Sequence, residues 1–276
     1  MTREDPEILK IMEDAARQAG KLIASTYETV KSATFEEKST FDYVTEVDRE
    51  SERIIVDILK KAFPDDVIIA EESYDGSYDG EKPAWIIDPL DGTTNFIHGF
   101  PMVAVSIARL EKGIISAGCV FDPLRNEFFW AVRGQGAFMN GRKLKPRTHT
   151  RSLSQALVAT GFPFRRKDLT EAYFQTFTEV FKIVSDIRRA GSAALDLTYV
   201  ACGRLDGFWE VGLKPWDIAA AMLFIHETGG IVTDFWGRGE EAVLWNGNIV
   251  AASSPDMHKL LLEKVQTGLA ERLTKS

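Results

Sequence analysis

The chain has 276 residues, a formal net charge of −8, 45% hydrophobic and 27% charged residues. This ordinary globular composition suffices for one large domain or two modest ones, and its acidic balance argues against nucleic acid or an anionic membrane as a main partner, since both reward excess Lys and Arg. The two cysteines, Cys119 and Cys202, lie far apart without a CxxC spacing, which speaks against a disulfide framework or structural zinc. The N-terminal residues show no apolar signal region and no stretch is long enough to span a membrane, so the expected location is the cytoplasm.

Ile8, Ile11, Ala15, Ala19, Leu22 and Ile23 recur at helical spacing and predict an amphipathic helix over 7–30. A polar stretch follows from Lys31 to Thr40. Ile54, Ile55, Ile58 and Leu59 mark a second helix over 48–62, ended by Pro64 and Asp65. Val67 to Ala70 reads as a buried strand that delivers Glu71 and Glu72, and after a glycine-rich loop Trp85 to Ile87 reads as another, ending at Asp88. Strands over 103–110, 114–120 and 127–132 predict an antiparallel meander, with turns at Gly134-Gln135-Gly136 and Asn140-Gly141 leading out of it. Beyond residue 150, strands at 156–160, 186–188, 207–210, 231–233 and 249–251 alternate with helices at 171–184, 192–202, 216–228 and 255–273. The expected organisation is an α+β half over 1–150 and an α/β half over 151–276, with no internal repeat.

The most informative segment is Asp88-Pro89-Leu90-Asp91-Gly92-Thr93-Thr94-Asn95-Phe96. It follows an apolar strand, and strand ends are where sites are often built. Pro89 restrains the backbone so that two carboxylates, with the Leu90 carbonyl between them, converge on one place. Hard oxygen ligands of this kind suit Mg²⁺ or Mn²⁺. Gly92, Thr93 and Thr94 would open a helix whose free N–H groups can hold a phosphate. Taken alone, the segment reads equally well as an Asx-type turn capping a helix. Asp48 alone reads as a helix N-cap, and Asp217 alone as a first-turn carboxylate favoured by the helix dipole. Their joint appearance with Glu71-Glu72 is what points to chemistry.

Asp88–Phe96 resembles the first signature of the inositol monophosphatase family of magnesium-dependent, lithium-sensitive sugar phosphatases, and Trp216-Asp217-Ile218-Ala219-Ala220-Ala221 resembles its second. Ile69–Ser73, Asp42–Asp48 and Gly191–Asp196 are similar to its glutamate, water-activating and substrate-contacting segments, in the same order along nearly the whole chain. The resemblance implies a layered αβαβα sandwich, a combined α+β and α/β fold, and a homodimer. It implies two or three Mg²⁺ per site, with Mn²⁺ as a substitute. Glu71, Asp88 and the Leu90 carbonyl would bind the first ion, and Asp88, Asp91 and Asp217 the second. Glu71, Thr93 and Asp48 would be the catalytic group, with Thr93 hydrogen-bonded to Asp48 and orienting the attacking water. Two metals can clamp the attacking and leaving oxygens of an in-line displacement. Gly92, Thr93 and Thr94 would contact phosphate. Asp91, Gly191, Ser192, Ala193, Glu210, Lys214 and Asp217 would line the substrate pocket, a carboxylate such as Glu210 accepting from two neighbouring hydroxyls.

The implied activity is hydrolysis of a small sugar or polyol phosphate, foremost inositol 1-phosphate. Alternatives are a dual enzyme that also takes fructose 1,6-bisphosphate, a 3′-phosphonucleotide or histidinol phosphatase, and an interaction protein without catalysis. The basic clusters Arg165-Arg166-Lys167 and Arg188-Arg189 read as solvated surface, and His98 as structural. The four histidines form no ligand pair at helical spacing, and there is no Gly-x-Ser-x-Gly elbow.

Overall fold

The computed structural model describes residues 5–27, 35–39, 42–145 and 152–275. The first layer is a pair of helices, α1 (Asp5–Tyr27) and α2 (Glu46–Ala62). They cover one face of a seven-stranded sheet ordered β3 (Val67–Ala70), β4 (Ala84–Asp91), β5 (Ala104–Glu111), β6 (Ile114–Asp122), β7 (Glu127–Val132), β8 (Gly136–Met139) and β9 (Arg142–Lys143). β3 and β4 are parallel and the later pairs are antiparallel. Alternation along β4 explains its continuous burial: Trp85 and Ile87 pack towards α1 and α2, and Ala84 and Ile86 towards the opposite face.

That opposite face meets α5 (Ala193–Ala201) and α6 (Pro215–Glu227), after α3 (Thr93–Ile97) and α4 (Thr170–Phe181) in the chain. Every residue of α6 from Ile218 to Ile225 is buried, as a helix sandwiched between two sheets requires. The second sheet has the order β11 (Asp186–Arg188), β10 (Leu157–Thr160), β12 (Gly207–Glu210), β14 (Ile249–Ala252), β13 (Ile231–Thr233). Phe208 and Ala251 point into the shared middle layer. Trp209 and Val250 point outward, into a cluster formed with α4 and α8 (Pro255–Val265). The result is the αβαβα layering that the resemblance implied, and one hydrophobic cluster runs through residues of both chain halves.

Several expectations are corrected. Thr45, not Asp48, caps α2: its Oγ accepts from the Val47 and Asp48 N–H groups, and Asp48 sits at the third helical position, returning a carboxylate to the Thr45 N–H at 2.8 Å. β4 does not stop at Asp88 but runs to Asp91 across a register shift, at which Pro89 supplies no ladder N–H. The turns after β7 do not leave the meander; they extend it through β8 and β9. A hairpin of β1 (Phe35–Ser39) and β2 (Asp42–Thr45) begins in the predicted polar stretch of Lys31 to Thr40 and ends beyond it; the rest of that stretch lies outside the described residues, as does His149. A short α7 (Glu240–Asn246) was also unforeseen. The last predicted helix is divided: α8 gives way to a π-helical stretch at Gln266–Ala270 before α9 (Glu271–Lys275).

Candidate active site

The register shift in β4, the N-termini of α5 and α6, and the end of β3 converge on one cavity of about 380 Å³. Its walls include Glu71, Asp88, Leu90, Asp91, Asp217 and Glu210. The Glu71 N–H donates to the Ile87 carbonyl at 3.1 Å, which keeps Glu71 beside Asp88. Asp88 is 1% exposed, and its Oδ1 accepts from the Leu90 N–H at 3.0 Å. Asp91 Oδ2 accepts from Ser192 Oγ at 2.6 Å and from the Ala194 N–H at 2.8 Å. Ser192 is also the N-cap of α5, so one hydroxyl ties the helix to the carboxylate. Asp217, third in α6, accepts from the Lys214 N–H at 2.7 Å. Two helix N-termini therefore face this acidic wall, where their dipoles favour negative charge.

The carboxylates repel one another. Burial raises the Asp88 pKa well above the usual carboxylate range, and Glu71, Asp91 and Asp217 push it further. Burial, and then Asp217, raises Asp91 to about 7. Among the described residues, no three His, Cys, Asp or Glu side chains are already gathered as a metal would hold them. The donor chemistry nonetheless fits Mg²⁺: these are hard oxygens, and a divalent cation would relieve the repulsion that their burial creates.

Asp48 does not reach the cavity. It is fully buried behind Thr93, whose hydroxyl donates to Asp48 Oδ1 at 2.8 Å. Gly92, Thr93 and Thr94 line the cavity. Gly92 stands at φ +97°, and a Cβ there would come within 2.7 Å of the Met102 carbonyl. Gly191, Ser192, Ala193 and Glu210 line the cavity too. Glu210 is buried, with a pKa raised chiefly by burial and next by Asp217, and Gly161 leaves room for it: a Cβ at 161 would lie 1.9 Å from the Glu210 carboxyl carbon. Lys214 is not among the lining residues; its N–H holds Asp217 instead.

Sequence reasoning missed several lining groups: Thr160, Phe164, Arg165, Lys167, Arg189, Asp196 and His98. The two basic clusters are split by the fold. Arg166 turns to Asp168 at 2.8 Å and Arg188 to Asp186 at 2.5 Å, while Arg165, Lys167 and Arg189 line the cavity. The available signal was position, since the first cluster lies in the loop after β10 and the second spans the end of β11, both strands of the second sheet.

Residues 4–270 match the sequence model of the inositol monophosphatase family. The Nus factor SuhB of Escherichia coli K12 is 47% identical over 266 residues, covering 96% of this chain and 98% of the relative. The crystal structure of extragenic suppressor protein suhB from Bartonella henselae superposes with a TM-score of 0.87 at 39% identity, covering 95% of this chain and 99% of that one. The inositol monophosphatase from Anabaena gives a TM-score of 0.83 at 34% identity, covering 95% and 96%. The name Nus factor, a transcription designation, overturns the expectation that nucleic acid is no partner. A net charge is an average over the surface and does not forbid a local contact. Among the described residues no helix is long and apolar enough to cross a membrane.

Proposed function

The chain belongs to the inositol monophosphatase family, and we propose that it is a magnesium-dependent phosphatase of small polyol or sugar phosphates, with inositol 1-phosphate as the leading substrate. The observation that carries this reading is the wall formed by Glu71, Asp88, Asp91 and Asp217, four buried or half-buried carboxylates from three separate segments that face one cavity. Those side chains and the Leu90 carbonyl would hold Mg²⁺, which supplies charge neutralisation for the phosphoryl group and acidifies water.

The chain's own groups do the rest. The Thr93 hydroxyl gives its hydrogen to Asp48, so its lone pairs remain to accept a proton from water in the cavity. The Thr45 N–H holds the other Asp48 oxygen, which fixes the carboxylate's orientation. Gly92, Thr93 and Thr94 offer N–H groups from the first turn of α3, where no intrahelical acceptor exists. Ser192 orients Asp91, and Glu210 can accept hydrogen bonds from two adjacent hydroxyls of the polyol.

A second reading follows from the Nus factor name of the 47%-identical relative: a role in transcription alongside hydrolysis or in place of it. Phosphate release from inositol 1-phosphate, fructose 1,6-bisphosphate, adenosine 3′,5′-bisphosphate and histidinol phosphate, with and without Mg²⁺, tests the phosphatase. Magnesium-dependent turnover of one ester supports it. Failure on all four by folded protein would leave the transcription reading in front.

A further inference from the structure

The buried face of α2 is polar over its first two turns. Asp48, Ser51 and Glu52 are buried there, before Ile55 and Leu59 continue the face into the core. Charged side chains are rarely buried without a partner, because their transfer from water is costly. Asp48 has its partner in Thr93. Glu52 stands one helical turn further along the same face and is 6% exposed. Its Oε2 accepts from the Glu72 N–H at 2.8 Å.

That N–H belongs to the turn by which the chain leaves β3. The neighbouring N–H groups have backbone acceptors: Glu71 donates to Ile87 at 3.1 Å, and Ser73 and Tyr74 donate to Ala70 at 3.3 and 2.9 Å. The Glu72 N–H is instead held by a side chain from another element, 20 residues earlier in the chain. It lies in the same rigid peptide plane as the Glu71 carbonyl. Glu71 is therefore pinned through the peptides on both sides of its Cα, by Ile87 and by Glu52. With both planes fixed, the direction of its Cα–Cβ bond is fixed, and Glu71 is part of the cavity wall.

We propose that Glu52 is a positioning residue for the magnesium site: by holding the peptide after Glu71 it sets the Glu71 carboxylate in the cavity wall, so that one face of α2 governs both the Thr93 hydroxyl, through Asp48, and Glu71, through Glu52. This rests on the reading of that wall as a magnesium site. Glu52 is not among the lining residues, so it acts through Glu71 and its effect falls on metal affinity.

Two variants of the full chain separate position from charge. Glu52→Gln keeps an oxygen at the same reach and removes the charge. Glu52→Asp keeps the charge and withdraws the acceptor by one methylene. Mg²⁺ affinity is read by calorimetric titration, which needs no turnover, and by the Mg²⁺ concentration that half-restores phosphate release from inositol 1-phosphate. The expected result is a Mg²⁺ Kd raised roughly tenfold or more in Glu52→Asp, the scale of lost support behind a metal ligand, with Glu52→Gln closer to wild type. Saturating Mg²⁺ should bring kcat of Glu52→Asp back near the wild-type value. Ile55→Val, on the same buried face, is the control: it should lower the melting temperature and leave the Mg²⁺ Kd unchanged. An unchanged Kd in Glu52→Asp, a Kd in Glu52→Gln as weak or weaker, a kcat loss that saturating Mg²⁺ does not recover, or an equal loss of affinity in Ile55→Val would overturn the positioning role while leaving the magnesium site standing. Absence of any Mg²⁺ response in the wild-type protein would overturn the magnesium reading and this inference with it.

Discussion

Thr93 and Asp48, 45 residues apart in sequence, are joined by a 2.8 Å hydrogen bond in which the hydroxyl donates and the buried carboxylate accepts. The bond places a proton acceptor at the cavity wall and its partner out of reach of solvent. Asp48→Asn and Thr93→Ala should each lower kcat by roughly a hundredfold to ten-thousandfold, the range of a lost general base. The double variant should lose little more than either single one, because the two groups act as a unit. Additive losses in steady-state kinetics would show that they act separately.

The acidic wall predicts how stability depends on pH without divalent metal. Asp91 is raised from the ordinary carboxylate range to about 7 in the fold, so between roughly pH 4 and pH 7 the folded chain holds a proton that the unfolded chain has lost. Metal-free stability should therefore fall as pH rises through that window. Mg²⁺ should raise the melting temperature more at pH 8 than at pH 5.5. A Mg²⁺ increment independent of pH would contradict this account.

Asp91→Asn keeps an oxygen for Ser192 and Ala194 and removes one charge from the wall. The metal-free variant should melt at or above the wild-type temperature at pH 8. It should also lose magnesium-dependent phosphate release by a factor of about a hundred or more, the scale of a lost transition-state contact. Calorimetry and phosphate assay on the same preparation separate the two effects. If the variant instead retains a cellular transcription phenotype, the second reading gains.

Gly161→Ala would drive a methyl group to within 1.9 Å of the Glu210 carboxyl carbon unless Glu210 moves. The backbone at 161 is not in the left-handed region, so the fold should tolerate the change. The expected outcome is a KM raised roughly tenfold with a smaller change in kcat, consistent with loss of a hydrogen-bonded ground-state contact. A kcat loss with KM unchanged would place Glu210 in the chemistry itself.

Asn95 Nδ2 reaches the carbonyls of Met102 at 2.8 Å, Ala190 at 2.9 Å and Gly191 at 3.1 Å, tying the end of the first signature to the segment before α5. Its two hydrogens serve three acceptors. Asn95→Ala leaves those carbonyls to other partners and should cost about 1–3 kcal/mol in denaturant unfolding. It should also raise KM, because Gly191 and Ser192 line the cavity. Unchanged stability would mean that water replaces the amide.

Much of the fold was legible in the sequence because it is written in local periodicity. The apolar faces of α1 and α2, the meander from β5 to β7 and the strand–helix alternation of the second half all come from residues a few positions apart. The β1–β2 hairpin and α7 were not legible, since each element is short and too polar to set a hydrophobic period. The N-cap of α2 was misplaced by three residues because Thr45 and Asp48 make a reciprocal pair, and either looks like a cap on its own. Arg165, Lys167 and Arg189 looked like solvated charge, and nothing within their own segments distinguishes them from Arg166 and Arg188.

The sequence by itself determined the order of helices and strands, because hydrophobic periodicity is a local property, and its resemblance to a known family implied the layered fold and the acidic residues proposed to hold magnesium. The tertiary structure alone decided which side chains share the cavity. It set Asp48 behind Thr93, withheld the Lys214 side chain from the lining and brought Glu210 over Gly161, and it turned part of each basic cluster inward. Those choices depend on how two sheets close over α5 and α6, and burial and neighbouring charge then raise the pKa values of Asp88, Asp91, Asp196 and Glu210.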